Sequence, residues 1–268
     1  MKHALTTLAL AALASQAGAQ TVIHYWDMTS ANDVVGAVPT AAVGTPDLSI
    51  DGTWGEAYPG AGSSLNTRYN VKSHLLADIH DGVAATALSF GAAQDFSFSY
   101  WTYNDTSDGS VKGPRVMDNL SGTTNGIQLG TNATNVYNLR IDDDAGASFI
   151  TNNSVAPYTS LTLPVDQWVH VAVNVSRTAG TLEVFVNGVG QGAVSHGLGS
   201  SISPSMDMEL GVINSSGTQN QHEEAGLDDL AFYDGLLSAT DAAALATGAL
   251  TPLHFSPCPS VTSVEVVR

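Results

Sequence analysis

The residues that could do chemistry in this chain are carboxylates at alternating positions of strand-like segments. In residues 205–210, SMDMEL, Asp207 and Glu209 are two positions apart. Side chains two apart in a β-strand lie on the same face, so the two acids should share one. A pair of neighbouring carboxylates can act as the acid and the nucleophile that cleave a glycosidic bond. The position two before Asp207 is Ser205, so the alternation of acids extends over these two residues alone.

A second carboxylate of interest is Asp228, in residues 225–235, AGLDDLAFYDG. In strict alternation Asp228 points to the same face as Leu230 and Phe232. A carboxylate on an apolar face needs hydrogen-bond donors or a cation. The acidic run IDDDAG at 141–146 carries more charge, but its composition predicts a solvated turn.

The sequence lacks the residue patterns that other kinds of catalysis require. His24, His170 and His196 are isolated, and His222 has only Glu223 and Glu224 beside it. The chain has no nucleophile elbow, phosphate loop or dinucleotide-binding glycine motif. The single cysteine, Cys258, cannot form an internal disulfide and has no base near it in sequence. We therefore predict no catalytic residues and no enzymatic activity.

The N-terminal segment indicates where the protein is located. Residues 1–19 have a basic Lys2, an apolar run at 8–14 and a small-residue cleavage site at 17–19, which predicts a secretory signal peptide. No later segment has the about 18 consecutive apolar residues that span a bilayer. The sequence thus predicts a protein that is secreted or lies at the cell surface, without membrane insertion.

Composition limits the partners. The 268-residue chain has 43% hydrophobic residues, enough for a core, and a formal net charge of −17. This charge repels nucleic acid phosphates and anionic lipids, so nucleic acid is not expected as a partner. It favours divalent cations instead.

Alternating hydrophobicity predicts strands along most of the chain. The clearest example is residues 166–188, DQWVHVAVNVSRTAGTLEVFVNG, in which Val169, Val171, Val173 and Val175 point one way. Asn187-Gly188 can form a type I′ turn that sends the chain back as a further strand. Further alternating segments start at Thr21 and at Asp95. Many short strands separated by turns predict an all-β, two-sheet antiparallel β-sandwich, or jelly roll.

One helix is predicted near the C-terminus, over residues 237–248. Ser238 can cap it, Asp241 lies in its first turn, and Gly248 can end it. The segment that follows contains three prolines. We therefore expect one domain at 20–249 and a loosely ordered tail at 250–268.

Four segments resemble the laminin-G-like, concanavalin A-like lectin/glucanase jelly rolls. The hairpin at 168–188 resembles the hairpin of that family, and GLDDLAFYDGLLS with the helix after it resembles the closing strand and terminal helix. HYWDM at 24–28 is similar to the first strand, and FSFSYW at 96–101 to a central strand. The resemblance covers about residues 21–248 in the right order.

The resemblance implies a non-catalytic binding module of secreted or cell-surface proteins, often with a structural calcium ion. It places the first strand, which ends at Asp27, beside the closing strand, which carries Asp228. These carboxylates with loop carbonyls would suit calcium, which takes six to eight oxygen ligands. We therefore predict a calcium site at Asp27 and Asp228, with a hydrogen-bonded Asp228 at a strand end as the alternative.

The ligand expected for such a module is an extracellular polysaccharide or surface glycan. Rings that could stack on sugars are those of Trp54, Tyr58, Tyr69, Tyr103 and Tyr158, but no ligand-binding residue is readable from the sequence. One alternative is an adhesive or structural surface protein that binds protein partners. The other is a glycoside hydrolase or lyase; fold relatives that cleave β-glucans carry three alternating acids on one strand, of which Ser205 would replace one.

Overall fold

The computed structural model describes residues 20–36, 40–43, 45–50, 54–67, 74–77, 88–106, 113, 115–120, 125–132, 134–151, 156–215, 218–220 and 225–256. The signal peptide predicted at 1–19, His222 and Cys258 lie outside these residues. The strands described are β1 Thr21–Trp26, β2 Thr40–Val43, β3 Asp47–Ile50, β4 Ser63–Thr67, β5 His74–Ala77, β6 Phe96–Asn104, β7 Arg115–Asp118, β8 Gly126–Thr131, β9 Tyr137–Asp142, β10 Ser148–Ile150, β11 Trp168–Ser176, β12 Thr181–Val186, β13 Val189–Gly190, β14 Val194–Ser195, β15 Met208–Leu210, β16 Ile213–Ser215, β17 Thr218–Asn220 and β18 Ala225–Asp234. The helix α1 spans Ala239–Leu245, and 3-10 helices span Tyr158–Ser160 and Pro252–Phe255.

These strands form two large antiparallel sheets, which confirms the predicted β-sandwich. The nine-stranded sheet has the order β13-β12-β11-β6-β18-β4-β3, with β1 also on β18 and β14 on β12. The seven-stranded sheet has the order β10-β9-β8-β7-β15-β5-β2, and β16 pairs with β17. The closing strand β18 thus lies at the centre of the larger sheet, between β6 on one side and β1 and β4 on the other.

The main core lies between the two sheets and contains the valine face predicted from the hairpin. Val169, Val171, Val173 and Val175 are all buried there, against residues of both sheets. Asn187 and Gly188 have φ angles of 48° and 77°, and the chain returns through β13, as the Asn-Gly pair predicts. Gly188 also leaves room for the helix, since a Cβ there would lie 2.6 Å from the Cα of Ala243.

A second, smaller core covers the outer face of the nine-stranded sheet. It packs α1 and the segment after it onto that face, through Tyr25, Ala172, Phe185, Tyr233, Leu237 and Leu245 among others. The predicted cap is present, because the Ser238 hydroxyl accepts from the N–H of Asp241 and the Asp241 carboxylate accepts from the N–H of Ser238. The helix therefore covers part of the outer face of the nine-stranded sheet.

The first residues of the predicted C-terminal tail pack on the domain. Pro252 is buried, and Phe255 lies edge-on to Tyr233 with ring centroids 5.5 Å apart. Residues 250–256 therefore belong to the folded domain, because their apolar side chains extend the second core. The tail from residue 257 lies outside the described residues.

Candidate functional site

The structure brings the two predicted calcium ligands to neighbouring strands. Strand β1 pairs with β18, with Trp26 opposite Leu230, so Asp27 follows β1 close to Asp228 and Asp229. Asp27 is half-buried and its Oδ1 accepts from the N–H and the hydroxyl of Thr29, at 3.0 and 2.8 Å. Asp228 is 1% exposed. The predicted neighbourhood is therefore present.

The predicted orientation of Asp228 was wrong. Leu230 and Phe232 belong to the main core, but Asp228 pairs with Trp101, and the register then shifts so that Ala231 pairs with Ser99. The extra residue is a β-bulge that includes Asp229 at φ 49°. Paired residues share a face. Asp228 therefore lies on the outer face with Trp101 and Ala231, and strict alternation fails because the bulge breaks it.

Asp229 is the acid that sequence reasoning missed. Its two carboxylate oxygens accept hydrogen bonds from the hydroxyls of Tyr25 and Tyr58, and its side chain is buried on the outer face. The only signal available was the Asp-Asp pair itself, since two adjacent acids can share a face only at a bulge. The bulge therefore gathers Asp228 and Asp229 in one place.

The acidic cluster, defined as Asp27, Asp228 and Asp229, is electrostatically strained. The pKa of Asp228 is raised to about 9, mainly by burial and next by the charge of Asp229. The charge of Asp27 adds to this rise. Burial and the charge of Asp27 also raise the pKa of Asp229, against the hydrogen bonds from Tyr25 and Tyr58. The described arginines lie elsewhere, in β7, in β9 and just after β11. A bound cation would lower these pKa values and favour the ionised carboxylates.

The oxygen-only donor set of this cluster fits a hard cation such as calcium. The only hydrogen bond to the Asp228 carboxylate from the described residues comes from the N–H of Asp229, at 2.8 Å. In the described part of the chain, however, no group of three or more His, Cys, Asp or Glu side chains converges as metal ligands. A cation here would therefore need backbone carbonyls or water in addition to carboxylates.

A small depression adjoins the acidic cluster beneath α1. It is lined by Ser99, Trp101, His170 and Asp229 and closed by residues of α1 and the 3-10 helix that follows it. His170 is 2% exposed, and burial lowers its pKa to about 3, so the imidazole is neutral at pH 7. The ring lies edge-on to Trp101, with centroids 5.2 Å apart. His170 is thus a packed residue of the second core.

The carboxylate closest in the sheet to Glu209 of the SMDMEL segment is not the predicted Asp207. Glu209 lies in β15 and is buried, whereas Asp207 precedes the strand and is half-buried. Directly opposite Glu209 lies Asp118 of β7, whose carboxylate accepts from the N–H of Leu120 and from Gln128 Nε2. The carboxylate pair therefore spans two strands, which alternation along one strand cannot reveal.

The acidic turn at 141–146 is only partly solvated. Asp142 is buried and pairs with Arg140, and Asp144 is exposed. The Asp143 carboxylate accepts from four backbone N–H groups, those of Ala145, Ala147, Gly199 and Ser200. Burial acts to raise the pKa of Asp143, but these hydrogen bonds lower it overall. The prediction of a solvated turn is thus wrong for Asp142 and Asp143, since both anchor the loop.

The aromatic residues named as sugar-stacking candidates occupy different environments. Tyr158 is buried, and its hydroxyl donates to the carbonyl of Gly192. Tyr69 lies outside the described residues. Trp54, Tyr58 and Tyr103 are half-exposed. Tyr58 packs on Trp101, with ring centroids 5.6 Å apart, next to the acidic cluster.

None of the helices that the structure describes is both long and apolar enough to cross a membrane.

Solved structures similar to this chain are mostly binding domains. The binding domain of Paraclostridial Mosquitocidal Protein 1 matches with a TM-score of 0.59 and 14% identity, over 85% of this chain and 52% of that one. The binding domain of botulinum neurotoxin DC, solved with rat synaptotagmin II, matches with a TM-score of 0.59 and 11% identity, over 86% and 52%. The chain thus spans about half the length of these toxin domains.

A third structure matches along almost its whole length. Domain 4 of AbnA, an extracellular GH43 arabinanase from Geobacillus stearothermophilus solved with arabinotriose, has a TM-score of 0.55 and 16% identity, over 85% of this chain and 98% of that one. At these identities the likeness concerns the fold alone. A search of curated proteins finds no match.

A family model identifies the fold independently. The laminin-G-like model of the concanavalin A-like lectin/glucanases superfamily matches residues 77–243, which is more than half of the chain and includes β6, the β11–β12 hairpin and β18. These segments carry most of the sequence resemblance, whereas HYWDM at 24–28 lies outside the matched range. The chain therefore belongs to the concanavalin A-like lectin/glucanase superfamily, as a laminin-G-like domain.

Proposed function

We propose that this protein is a secreted, non-catalytic module that binds extracellular polysaccharide or surface glycans and is stabilised by calcium. The observation that supports glycan binding is the shared fold with the arabinanase domain solved with arabinotriose, which this chain matches over nearly that domain's entire length. The signal-like residues 1–19 support secretion.

The calcium part of the proposal depends on the acidic cluster. Asp27 and Asp228, with Asp229 beside them, offer carboxylate oxygens at the junction of β1 and β18. When bound, the ion would neutralise charge that burial otherwise makes unfavourable. The tyrosine hydroxyls on Asp229 would hold that carboxylate in place while Asp228 takes part in binding.

A glycan array probed with the purified protein, once with 1 mM-range calcium and once with chelator, tests the function. We expect binding to at least one polysaccharide or oligosaccharide class. Absence of binding to every glycan under both conditions would rule out the glycan proposal. Binding that is equal with and without calcium, together with an unchanged melting curve, would rule out the calcium part alone.

Protein binding is the first alternative. The toxin domains that share this fold are binding domains, and one was solved with rat synaptotagmin II. Specific capture of one cell-surface protein by this chain, with no signal on the glycan array, would favour this alternative.

Hydrolysis is the second alternative, and the opposition of Glu209 and Asp118 favours it. Directly opposed residues of antiparallel strands have Cβ atoms about 5 Å apart, which lets their carboxyl groups reach the separation of about 5–5.5 Å that retaining glycosidases use. Release of reducing ends from a polysaccharide panel, lost in Glu209→Gln, would establish this activity. We expect no release.

A further inference from the structure

Three aromatic rings lie together on the outer face of the nine-stranded sheet, at the end of β6. Trp168 of β11 pairs with Tyr103 of β6, and their rings meet edge-on with centroids 5.8 Å apart. Trp54, from the loop before β4, stacks on Tyr103 with centroids 5.2 Å apart and planes within 14° of parallel. All three side chains are half-exposed. We call Trp54, Tyr103 and Trp168 the aromatic platform.

The platform is held rigidly by hydrogen bonds from both indoles. Trp54 Nε1 donates to Asp105 Oδ2 at 3.1 Å, and Trp168 Nε1 donates to the carbonyl of Gly55 at 2.8 Å. The two tryptophans thus satisfy their polar atoms within the protein and present their carbon surface. Half-exposed rings fixed in this way lose little conformational freedom when a ligand stacks on them.

A glycine in the neighbouring strand β18 makes room for the platform. Gly226 of β18 pairs with Tyr103 on the side away from β11. A Cβ at Gly226 would lie 2.6 Å from Trp168 Cη2, so the indole lies across the space that a side chain would fill. The absence of a side chain at position 226 therefore lets Trp168 lie across β18.

Carboxylates surround the platform. Asp105 accepts from Trp54 Nε1, and the N–H of Asp166 donates to the carbonyl of Asn104, next to Tyr103, at 2.9 Å. Burial, followed by the charges of these two acids, raises the pKa of Tyr103. Asp166 also accepts from the N–H and hydroxyl of Thr106. The described arginines lie away from the platform: Arg115 and Arg140 are in the seven-stranded sheet, and Arg177 is near the opposite end of β11. Among the described residues, the charged side chains placed beside the platform are thus carboxylates, which offer hydrogen-bond acceptors.

We propose that the aromatic platform is the glycan-binding site and that its ligand is a neutral glycan whose sugar rings present an apolar C–H face. This inference rests on the proposed function and names the surface and the ligand class. Aromatic rings supply the apolar contact, and Asp105 and Asp166 accept hydrogen bonds from sugar hydroxyls. Uronic acids and other anionic sugars are rejected, because the platform and the chain, with net charge −17, repel them.

The experiment is titration of the full chain with neutral hexasaccharides (of β-1,4-glucose, β-1,3-glucose, β-1,4-xylose and β-1,4-mannose) and with hexamers of galacturonate and alginate. Isothermal calorimetry and tryptophan emission are recorded at 0.15 M salt. We expect at least one neutral hexasaccharide to bind with a shift in tryptophan emission, and neither acidic hexamer to bind. A preference for an acidic hexamer would overturn the ligand class.

Trp54→Ala removes one ring from a loop and leaves the sheet intact. It should weaken binding of the neutral glycan about tenfold or more, and Trp54→Phe should restore part of the affinity. The matched control is Phe255→Ala, which removes a half-exposed ring on the same face. Phe255 contacts Tyr233, which pairs with Ser97, about 20 Å along β6 from Tyr103. The control should bind as the parent does.

The variants separate the two proposals. If the parent binds a glycan and Trp54→Ala binds it equally well, the platform is not the site, and the proposed function stands. If the parent binds none of these hexasaccharides and nothing on the glycan array, both proposals fail. Circular dichroism and melting curves of each variant establish that a loss of binding is not a loss of folding.

Discussion

Asp228 of β18 lies directly opposite Trp101 of β6, so its buried carboxylate belongs to the outer face of the nine-stranded sheet. There it lies beside Asp229 and near Asp27, and burial together with these charges raises its pKa to about 9. The carboxyl groups are held together by a β-bulge in the central strand of the sheet. With this pKa Asp228 is protonated at pH 7, so a cation that binds here must displace that proton. The stability of the domain should therefore respond to any cation bound at this point.

Calcium should stabilise the domain through Asp228. A ligand that binds only the folded state adds RT ln(1 + [Ca]/Kd), about 2.7 kcal/mol at a hundredfold excess over Kd. Chelator should lower the Tm by several degrees, and calcium should restore it better than magnesium, which demands a tighter octahedral shell. Asp228→Asn should lose most of this response. Asp234→Asn, which changes an exposed acid on the same strand, should keep the response. A Tm that does not change when chelator is added would contradict the proposed site.

Acid should destabilise the domain through His170. Its folded-state pKa is about 3 because of burial, whereas an unfolded histidine titrates near 6.5. Below about pH 6.5 the unfolded chain binds the proton first, so the free energy of unfolding falls with pH, by about 2 kcal/mol at pH 5. His170→Gln removes this pH-dependent contribution to the free energy of unfolding. Between pH 7.5 and pH 5, the free energy of unfolding measured from denaturant curves should therefore fall more for the parent than for His170→Gln. Equal falls in the two proteins would show that His170 titrates normally. His254→Gln, which changes an exposed histidine, is the control and should behave as the parent does.

A charge on the valine face should unfold the domain. Val171 is fully buried between the sheets, so Val171→Asp places a carboxylate in the main core at a cost of several kcal/mol. That cost is comparable with the total stability of a domain, about 5–15 kcal/mol. Val189→Asp is the control, because Val189 lies in the same hairpin and is 64% exposed. Equal melting temperatures for the two variants would refute the assigned faces.

A methyl group at Gly226 should displace the Trp168 ring. The Cβ would lie 2.6 Å from the indole, so Gly226→Ala should cost about 1–3 kcal/mol and alter the tryptophan emission. Gly197→Ala, where a Cβ meets no atom within 4 Å, should change neither property. Unchanged emission and stability in Gly226→Ala would mean that Trp168 does not lie across β18.

The fold was predictable because its signals are local. The valines of β11 alternate without interruption, Asn187-Gly188 prescribes its own turn, and Ser238 with Asp241 prescribes the helix start. Each of these patterns acts within a few residues, so neighbours in sequence suffice to read it. The adjacency of Asp27 and Asp228 followed from the family pattern and not from the residues.

The candidate sites depended on tertiary structure, because strand pairing and a bulge decide them. Alternation placed Asp228 with Leu230 and Phe232, and the extra residue in β18 moved it to the outer face with Asp229. Likewise, nothing in the sequence places Trp54 on Tyr103, or Asp118 opposite Glu209. The sequence by itself determined which segments become strands and which face of the hairpin is buried. The tertiary structure decided which side chains meet, since contacts between distant segments depend on register and packing.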